Sequence, residues 1–275
     1  MACLKGKVQL VFTSPPFPLQ RKKKYGNLKG AAYKLWLASF GPALLALLKP
    51  DGSIVLELGN SWESGSPTMS TLALEALLEF KNQNGLHLCQ EFICHNPARL
   101  PGPAQWVTVN RFRVKDSFTR LWWLSATQYP KADNRRVLTP YSRSMARLIS
   151  TGKYNSGKRP SQHDIGAKSF LKNHGGAIPP SVLSISNTSS NDPYRRFCKK
   201  LGFEMHPARM PAELAKFFIR LLTEPGDIVL DPFGGSNVTG AAAEELGRRW
   251  LTIEPTPAYI AGSVGRFSQL AYPLQ

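Results

Sequence analysis

Short apolar runs alternate along the chain with longer stretches whose apolar residues recur three and four positions apart. Val8–Phe12 is a short run ending abruptly at Thr13-Ser14-Pro15-Pro16, which predicts a buried strand stopped by proline. Ala31–Leu48 carries helical spacing as far as Lys49-Pro50-Asp51-Gly52, predicting one helix closed by a turn. Ser53–Leu58 predicts a strand, Ser70–Phe80 a helix, and His87–Cys94 and Thr119–Ser125 two more strands. From Ala126 to Ser190 the alternation fails, and proline, glycine, serine and lysine dominate. A stretch of that length is functional or disordered. Order returns with helices over Ala212–Leu222, Asn237–Leu246 and Thr256–Phe267 and strands over Asp227–Leu230 and Trp250–Ile253. Strands separated by helices predict an α/β fold, a mostly parallel sheet with helices on both faces.

The 275 residues suffice for one large α/β domain or two small ones, and no internal repeat is present. No apolar run approaches the length of a membrane span, and the first residues lack the apolar core of a signal peptide, so neither membrane nor secretion is expected. Four cysteines make no disulfide framework and fit a reducing compartment. Charge changes the picture more. The formal balance is +17, and it is segregated. Residues 1–49 hold nine Lys and Arg and no acid, residues 50–110 two bases against six acids, and residues 111–175 fourteen bases against three acids. Residues 176–275 are nearly balanced. Two basic segments flanking a near-neutral remainder predict a polyanion site, with nucleic acid as the leading partner.

Two loops of this pattern carry chemistry. In Asp227–Glu254 a strand runs into Asp231-Pro232-Phe233-Gly234-Gly235-Ser236, then a helix, then a second strand ending at Glu254. The glycines allow close backbone approach, the helix start offers free N–H groups, and Glu254 is placed to accept ribose hydroxyls. The dinucleotide pattern G-x-G-x-x-G is absent, so a pyrophosphate is not favoured. The second loop is Thr13–Phe17, where two prolines fix the backbone, strip donors and turn carbonyl acceptors outward. A rigid loop with a hydroxyl, acceptors and an aromatic face suits a planar, amine-bearing ring. In an open sheet both loops fall at the carboxyl ends of parallel strands, hence in one crevice.

The TSPPF loop at 13–17 followed by DPFGGS at 231–236 resembles the amino-methyltransferases of DNA, in the β-type order with the catalytic loop ahead of the cofactor loop. Stretches similar to the cytosine-N4 members run through nearly the whole chain. They include TSPPFPLQRKKKYGN at 13–27, KPDGS at 49–53, RVKD at 113–116, RPSQHDIG at 159–166, GGAIPP at 175–180, HPARMPAELAKFFIRLLTEP at 206–225 and FGGSNVTG at 233–240. The resemblance implies a Rossmann-like methyltransferase sheet, S-adenosylmethionine as donor with S-adenosylhomocysteine as product, no metal, and an extruded cytosine of double-stranded DNA as target. It implies residues 1–125 as the catalytic part, 126–190 as an irregular basic target-recognition insert and 191–275 as the cofactor-binding part of the same domain. It further implies a monomer of the restriction–modification kind, at the nucleoid in a bacterial cytoplasm or in a eukaryotic nucleus.

Site roles follow the same resemblance. Ser14 Oγ and the Pro15 carbonyl would accept the two amine hydrogens, Pro16 would stiffen the loop, and Phe17 would stack on the base. Glu57, closing a strand, is either a further acceptor near the amine or a solvated acid. Thr13, Asp231, Pro232, Phe233, Gly234, Gly235, Ser236, Thr239 and Glu254 fall to the cofactor. His206, Pro207, Ala208 and Arg209 resemble the segment lining its methionine end, with His206 equally readable as structural; Asn187 and Asn191 lie in the same stretch. Arg21, Lys22, Lys23 and Lys24 follow the catalytic loop closely enough to hold phosphates. Arg135, Arg136, Arg143, Arg147, Lys158, Arg159, His163 and Lys168 populate the recognition region, undivided between base readers and phosphate holders.

Other readings are weaker. A cytosine-C5 enzyme needs a Pro-Cys nucleophile, and none of Cys3, Cys89, Cys94 and Cys198 follows proline. Adenine-N6 enzymes share fold and donor but carry Asp where Ser14 stands. Asn-Pro-Pro enzymes acting on RNA or glutamine need no large basic insert. His87, Cys89, Cys94 and His95 suggest zinc, except that Cys89 and Cys94 face opposite sides of one strand. A catalytically inactive DNA-binding relative is disfavoured by the intact Ser14, Asp231 and Glu254. One departure stands out: some twelve residues precede TSPPF, where the family has a Gly-Asp element and a helix. Either the chain is shortened at its start or the adenine side of the pocket is more open, and cofactor affinity rather than reaction type is what this bears on.

Overall fold

The computed structural model describes residues 4–18, 28–153, 157–166, 170–187 and 192–267. They divide into two compact units, one of residues 1–132 with 181–275, the other of residues 133–180.

The first unit is built on seven strands: β1 (Val8–Thr13), β2 (Leu48–Gly59), β3 (His87–His95), β4 (Phe118–Ser125), β7 (Val182–Ser184), β8 (Ile228–Asp231) and β9 (Arg249–Thr252). Their order across the sheet is β7-β3-β4-β2-β1-β8-β9. All neighbours run parallel except β4, which is antiparallel to both β2 and β3. β1 is buried along its whole length, as a central strand covered on both faces must be. One face packs Val11, Ile54 and Leu56 beneath Tyr33, Leu37 and Phe80 of helices α1 (Gly30–Ala38) and α3 (Leu72–Gln83), with α2 (Gly41–Leu47) beside them. On the other face Phe12 stacks on Phe218 of α6 (Ala212–Leu222) at 5.5 Å, and Phe92 meets the same ring edge-on. The helix α7 (Val238–Glu245) follows β8, and α8 (Pro257–Ser263) follows β9. Helices on both faces of a largely parallel sheet are as expected; the reversed β4 is not, because periodicity carries no strand direction.

The single helix expected over Ala31–Leu48 is two. Pro42 sits in the first turn of α2; in an unbroken helix its ring would strike the carbonyl of Ala38 and its missing N–H would leave that carbonyl unpaired. Asn84 supplies the replacement, its amide donating to Ala38 O at 3.1 Å and Phe80 O at 2.8 Å. Gly41 is required at the corner, since a Cβ there would lie 2.1 Å from the Asn84 side chain. Leu48 is already in β2. A helix missed from the pattern, α5 (Pro193–Leu201), carries clear local signals. Asp192 caps it through Arg195 N at 2.7 Å, Pro193 opens it, and Gly202 closes it at φ +70°.

Within residues 126–190 the elements are short but present. The second unit holds a 3₁₀ turn (Asn134–Val137), helix α4 (Arg143–Thr151) capped by Ser142, and a two-strand hairpin of β5 (Gly157–Lys158) and β6 (Asp164–Ile165). Thr139 bridges Ala177 across the unit. β7 lies beyond it and pairs with β3 at the sheet edge of the first unit. Among the described residues no helix is long and apolar enough to cross a membrane.

Candidate active site

Adjacent parallel strands β1 and β8 bring Thr13 and Asp231 side by side. Thr13 Oγ1 donates to Asp231 Oδ1 at 2.7 Å, Thr239 Oγ1 to Oδ2 at 2.7 Å, and the Phe233 N–H to Oδ1 at 3.0 Å. Burial pushes the Asp231 carboxyl above its ordinary range, with these bonds opposing. Its oxygens are thus spent on tying the proline loop to the glycine loop.

The glycine loop folds tightly for identifiable reasons. A Cβ on Gly234 would come within 1.9 Å of Thr252 Cγ2, and Gly235 adopts φ +52°. Asn237, at φ +55°, caps α7 by accepting from Gly240 N at 3.1 Å and Thr252 Oγ1 at 2.6 Å. Phe233 packs on Trp36 and Phe40, rings that the α1–α2 corner presents. Glu254 accepts from the N–H groups of Gly235 and Thr256, both at 2.9 Å, so its carboxylate is fixed while lone pairs stay open. His206 receives the Tyr194 hydroxyl as partner of its backbone N–H at 2.7 Å, bonds Ala208 O through Nδ1, and meets Tyr259 edge-on. Burial lowers its pKa, against the bond to Ala208 O and the Glu254 charge, which favours the neutral ring.

At the other end, β2 delivers Glu57 beside Ser14. Thr119 Oγ1 donates to Glu57 Oε1 at 2.8 Å, and the Ser14 side chain bonds the same carboxyl. Burial raises the Glu57 pKa against these two bonds and the nearby Arg99. Glu57 is 7% exposed, which removes the solvated-acid alternative. Tyr33 fixes the loop by donating to Pro16 O at 2.9 Å. Phe17 lies against the Gly59 backbone, where a Cβ would sit 2.5 Å from its ring.

These ends share one cavity of about 360 Å³, within the range of small-ligand sites. Ser14, Pro15, Pro16, Phe17 and Glu57 line one end; Asn187, His206, Ala208, Asp231, Phe233–Ser236, Thr239 and Glu254 line the rest. Thr13, Pro207 and Pro232 are not in the lining. Arg209, the last residue of the 206–209 segment, and Cys94 also line it, as do Asn96, Arg99, Phe118 and Thr119, which were not singled out as site residues from sequence. Most stand at the ends of β3 and β4, whose place beside β2 depends on the antiparallel pairing. The dimensions and lining fit S-adenosylmethionine: fixed acceptors at Glu254, backbone approach at Gly234 and Gly235, and the His206 ring in the same wall. No group of three His, Cys, Asp or Glu among the described residues is arranged to hold a metal.

The DNA methylase family profile matches residues 8–264. The chain belongs to the DNA methylases. The methylase is 47% identical over 262 residues to the type II methyltransferase M.PvuII of Proteus hauseri, covering 94% of this chain and 78% of the relative. Its fold matches that of the PvuII DNA methyltransferase, described as cytosine-N4-specific, with a TM-score of 0.76 and 39% identity over 97% of this chain and 82% of that one. The M1.HpyAVI complex with S-adenosylmethionine shares the fold at a TM-score of 0.53 and 19% identity, covering 95% of the methylase and 89% of that chain.

The expected basic residues fall in several settings. Arg21, Lys22, Lys23, Lys24, Lys168 and Asn191 lie outside the described residues. Arg143 and Arg147 stand exposed on α4, Lys158 and His163 on the hairpin and its turn. Arg135 of the methylase has its fork engaged by Asp133, Nη2 to Oδ2 at 2.8 Å and Nε to Oδ1 at 2.9 Å, with Arg136 at 3.6 Å from the same carboxylate.

Proposed function

We propose that the protein transfers the methyl group of S-adenosylmethionine to N4 of a cytosine extruded from duplex DNA. The observation that carries this is the 47% identity over 94% of the chain to a type II methyltransferase, with Ser14-Pro15-Pro16-Phe17 set against the Asp231 loop in one cavity. The cofactor supplies an activated methyl on its sulfonium. The protein's part is to hold and orient. Glu254 accepts from ribose hydroxyls, and Gly234–Ser236 admit the donor's backbone-close approach. Pro15 O and Ser14 Oγ accept the amine hydrogens, drawing the nitrogen lone pair out of the ring. Ser14 can do so because its own hydrogen is directed to Glu57, and Glu57, raised in pKa, is suited to take the proton N4 loses. Phe17 offers the base a stacking face, and extrusion costs a few kcal/mol.

Residues 133–180 are assigned to target recognition, with Arg143, Arg147 and Lys158 toward phosphates or bases. Arg135, held by Asp133, is a weaker candidate. The protein acts as a monomer, in a bacterial cytoplasm. An adenine target is disfavoured by Ser14 and by the relative's cytosine-N4 description.

The test is nucleoside mass spectrometry after incubating unmethylated duplex DNA with protein and S-adenosylmethionine, beside Ser14→Ala. N4-methylcytosine is expected from the wild type and a loss of about 10²–10⁴-fold in the variant. N6-methyladenine would overturn the base, and no product the reaction.

A further inference from the structure

The β3 and β4 strands are antiparallel neighbours, a pair that two residues can join. Here residues 96–117 join them, leaving the sheet at its carboxyl end beside the cavity, which Asn96, Arg99 and Phe118 line. A connection of that length in a compact domain calls for a function.

The loop is built, not slack. Asn96 N bonds Ser117 O at 2.8 Å across its base, and Asp116 N bonds Gly102 O at 2.9 Å. A π-helical turn over Gln105–Val109 is tied back by Phe112 N to Trp106 O at 3.1 Å, with the two rings 5.8 Å apart. Lys115 Nζ staples the outgoing arm to Pro97 O and Arg99 O at 3.1 and 3.3 Å. This framework leaves Arg111–Lys115 as five consecutive exposed residues, with the Arg113 guanidinium resting over the Phe112 ring at 5.1 Å and donating to Pro67 O at 3.3 Å and Phe112 O at 3.0 Å while remaining open to solvent. Val114 is 87% and Leu100 83% exposed. Arg111 stands at φ +57°, a conformation that costs a non-glycine residue about 1 kcal/mol or more. A rigid loop that strains an arginine outward and leaves aliphatic tips in water is shaped for a partner.

The charge says which. Within residues 96–117 Arg99, Arg111, Arg113 and Lys115 accompany a single acid, Asp116, which Asn60 bonds at 2.9 Å and Arg99 meets at 3.8 Å, so Arg111 has no acid of the loop left to pair with. The basic run of the sequence begins at Arg111, outside the unit assigned to recognition. Resting on the methyltransferase reading above, we propose that the 96–117 loop is a second DNA-contact surface, with Arg111 and Arg113 on backbone phosphates and the aliphatic tip of Val114 against the base stack next to the extruded cytosine. Apolar side chains placed at base steps stabilise distorted duplexes, and cations on phosphates give salt-dependent affinity.

Binding of a duplex fragment that the wild type methylates, with S-adenosylhomocysteine present, tests this across about 50 to 300 mM salt. The Arg111→Gly/Arg113→Gln protein should show a plot of log affinity against log salt shallower by about two, one phosphate contact each. Arg111→Gly alone should weaken DNA binding while holding or raising the melting temperature, because glycine relieves the left-handed strain; a merely structural arginine would move both the same way. Val114→Ala should reduce the fluorescence of 2-aminopurine placed beside the target cytosine, with S-adenosylhomocysteine binding unchanged. Unchanged slope and fluorescence with wild-type DNA binding intact would overturn the loop assignment alone. A wild type that neither binds nor methylates the duplex would overturn the parent reading as well.

Discussion

At the scale of single residues, two buried carboxyls do opposite jobs. Asp231 is consumed by Thr13, Thr239 and the Phe233 N–H, so its work is to lock two loops, while Glu57 keeps its bond to Ser14 at the proline-loop end of the cavity. Both have pKa values raised, chiefly by burial. A raised folded pKa contributes stability that is complete below the unfolded value and is lost as pH rises through the folded one. Glu57→Gln removes the cost of ionising the group. Its stability relative to wild type should therefore grow as pH climbs from the ordinary glutamate value of 4.5, in urea midpoints measured across that range, while methylation falls. A constant difference at all pH values would show that folding leaves the Glu57 pKa unshifted. Ser14, Asp231 and Glu254 were all legible in the sequence as site residues. The inward turn of the Asp231 carboxylate was not, because its partners come from loops far apart in the chain.

At the scale of elements, the turn from β8 into α7 is set by steric fit. Gly234→Ala would drive a Cβ against Thr252 Cγ2 and cost about 1–3 kcal/mol. Thr252→Ser removes that methyl and retains the hydroxyl that bonds Asn237. The double variant should regain most of the lost melting temperature and S-adenosylmethionine affinity, whereas additive losses would place the strain elsewhere. The split of the Ala31–Leu48 pattern belongs here too. Apolar spacing continues across it, but Pro42 and the Asn84 amide decide the break, and the corner supplies Trp36 and Phe40 to Phe233. Pro42 was visible in sequence; the rescue of the carbonyls by Asn84 was not.

Across the molecule, the end of the sheet away from the cavity is closed by charge. Asp227, before β8, takes Lys49 at 2.6 Å and Lys131 at 3.0 Å, and Lys131 also reaches Glu224 at 2.7 Å. Burial would raise the Asp227 pKa, but the two lysines and the Glu224 N–H prevail and bring it down to about 2. A lowered value contributes stability that is present above the unfolded 3.8 and lost as pH falls toward 2. Asp227→Asn should cost about 1 kcal/mol at pH 7 after allowing for solvent screening, with the gap to wild type closing on acidification in thermal melts. A gap that persists at low pH would assign the loss to packing. The network joins three distant segments, so it keeps the strand starts aligned and, through them, the loops at the opposite ends.

The sequence by itself determined the α/β class, the two loops that end strands β1 and β8, and the separation of basic from near-neutral segments. These are local: proline and glycine punctuation, apolar spacing and charge act over a few residues. Only the tertiary structure decided that β4 runs backward, bringing Thr119 and Arg99 beside Glu57, that Asp231 faces inward, and that residues 96–117 stand out beside the cavity. Strand direction, register and the partner of a buried carboxyl are fixed by contacts between residues far apart in the chain, which no local pattern encodes.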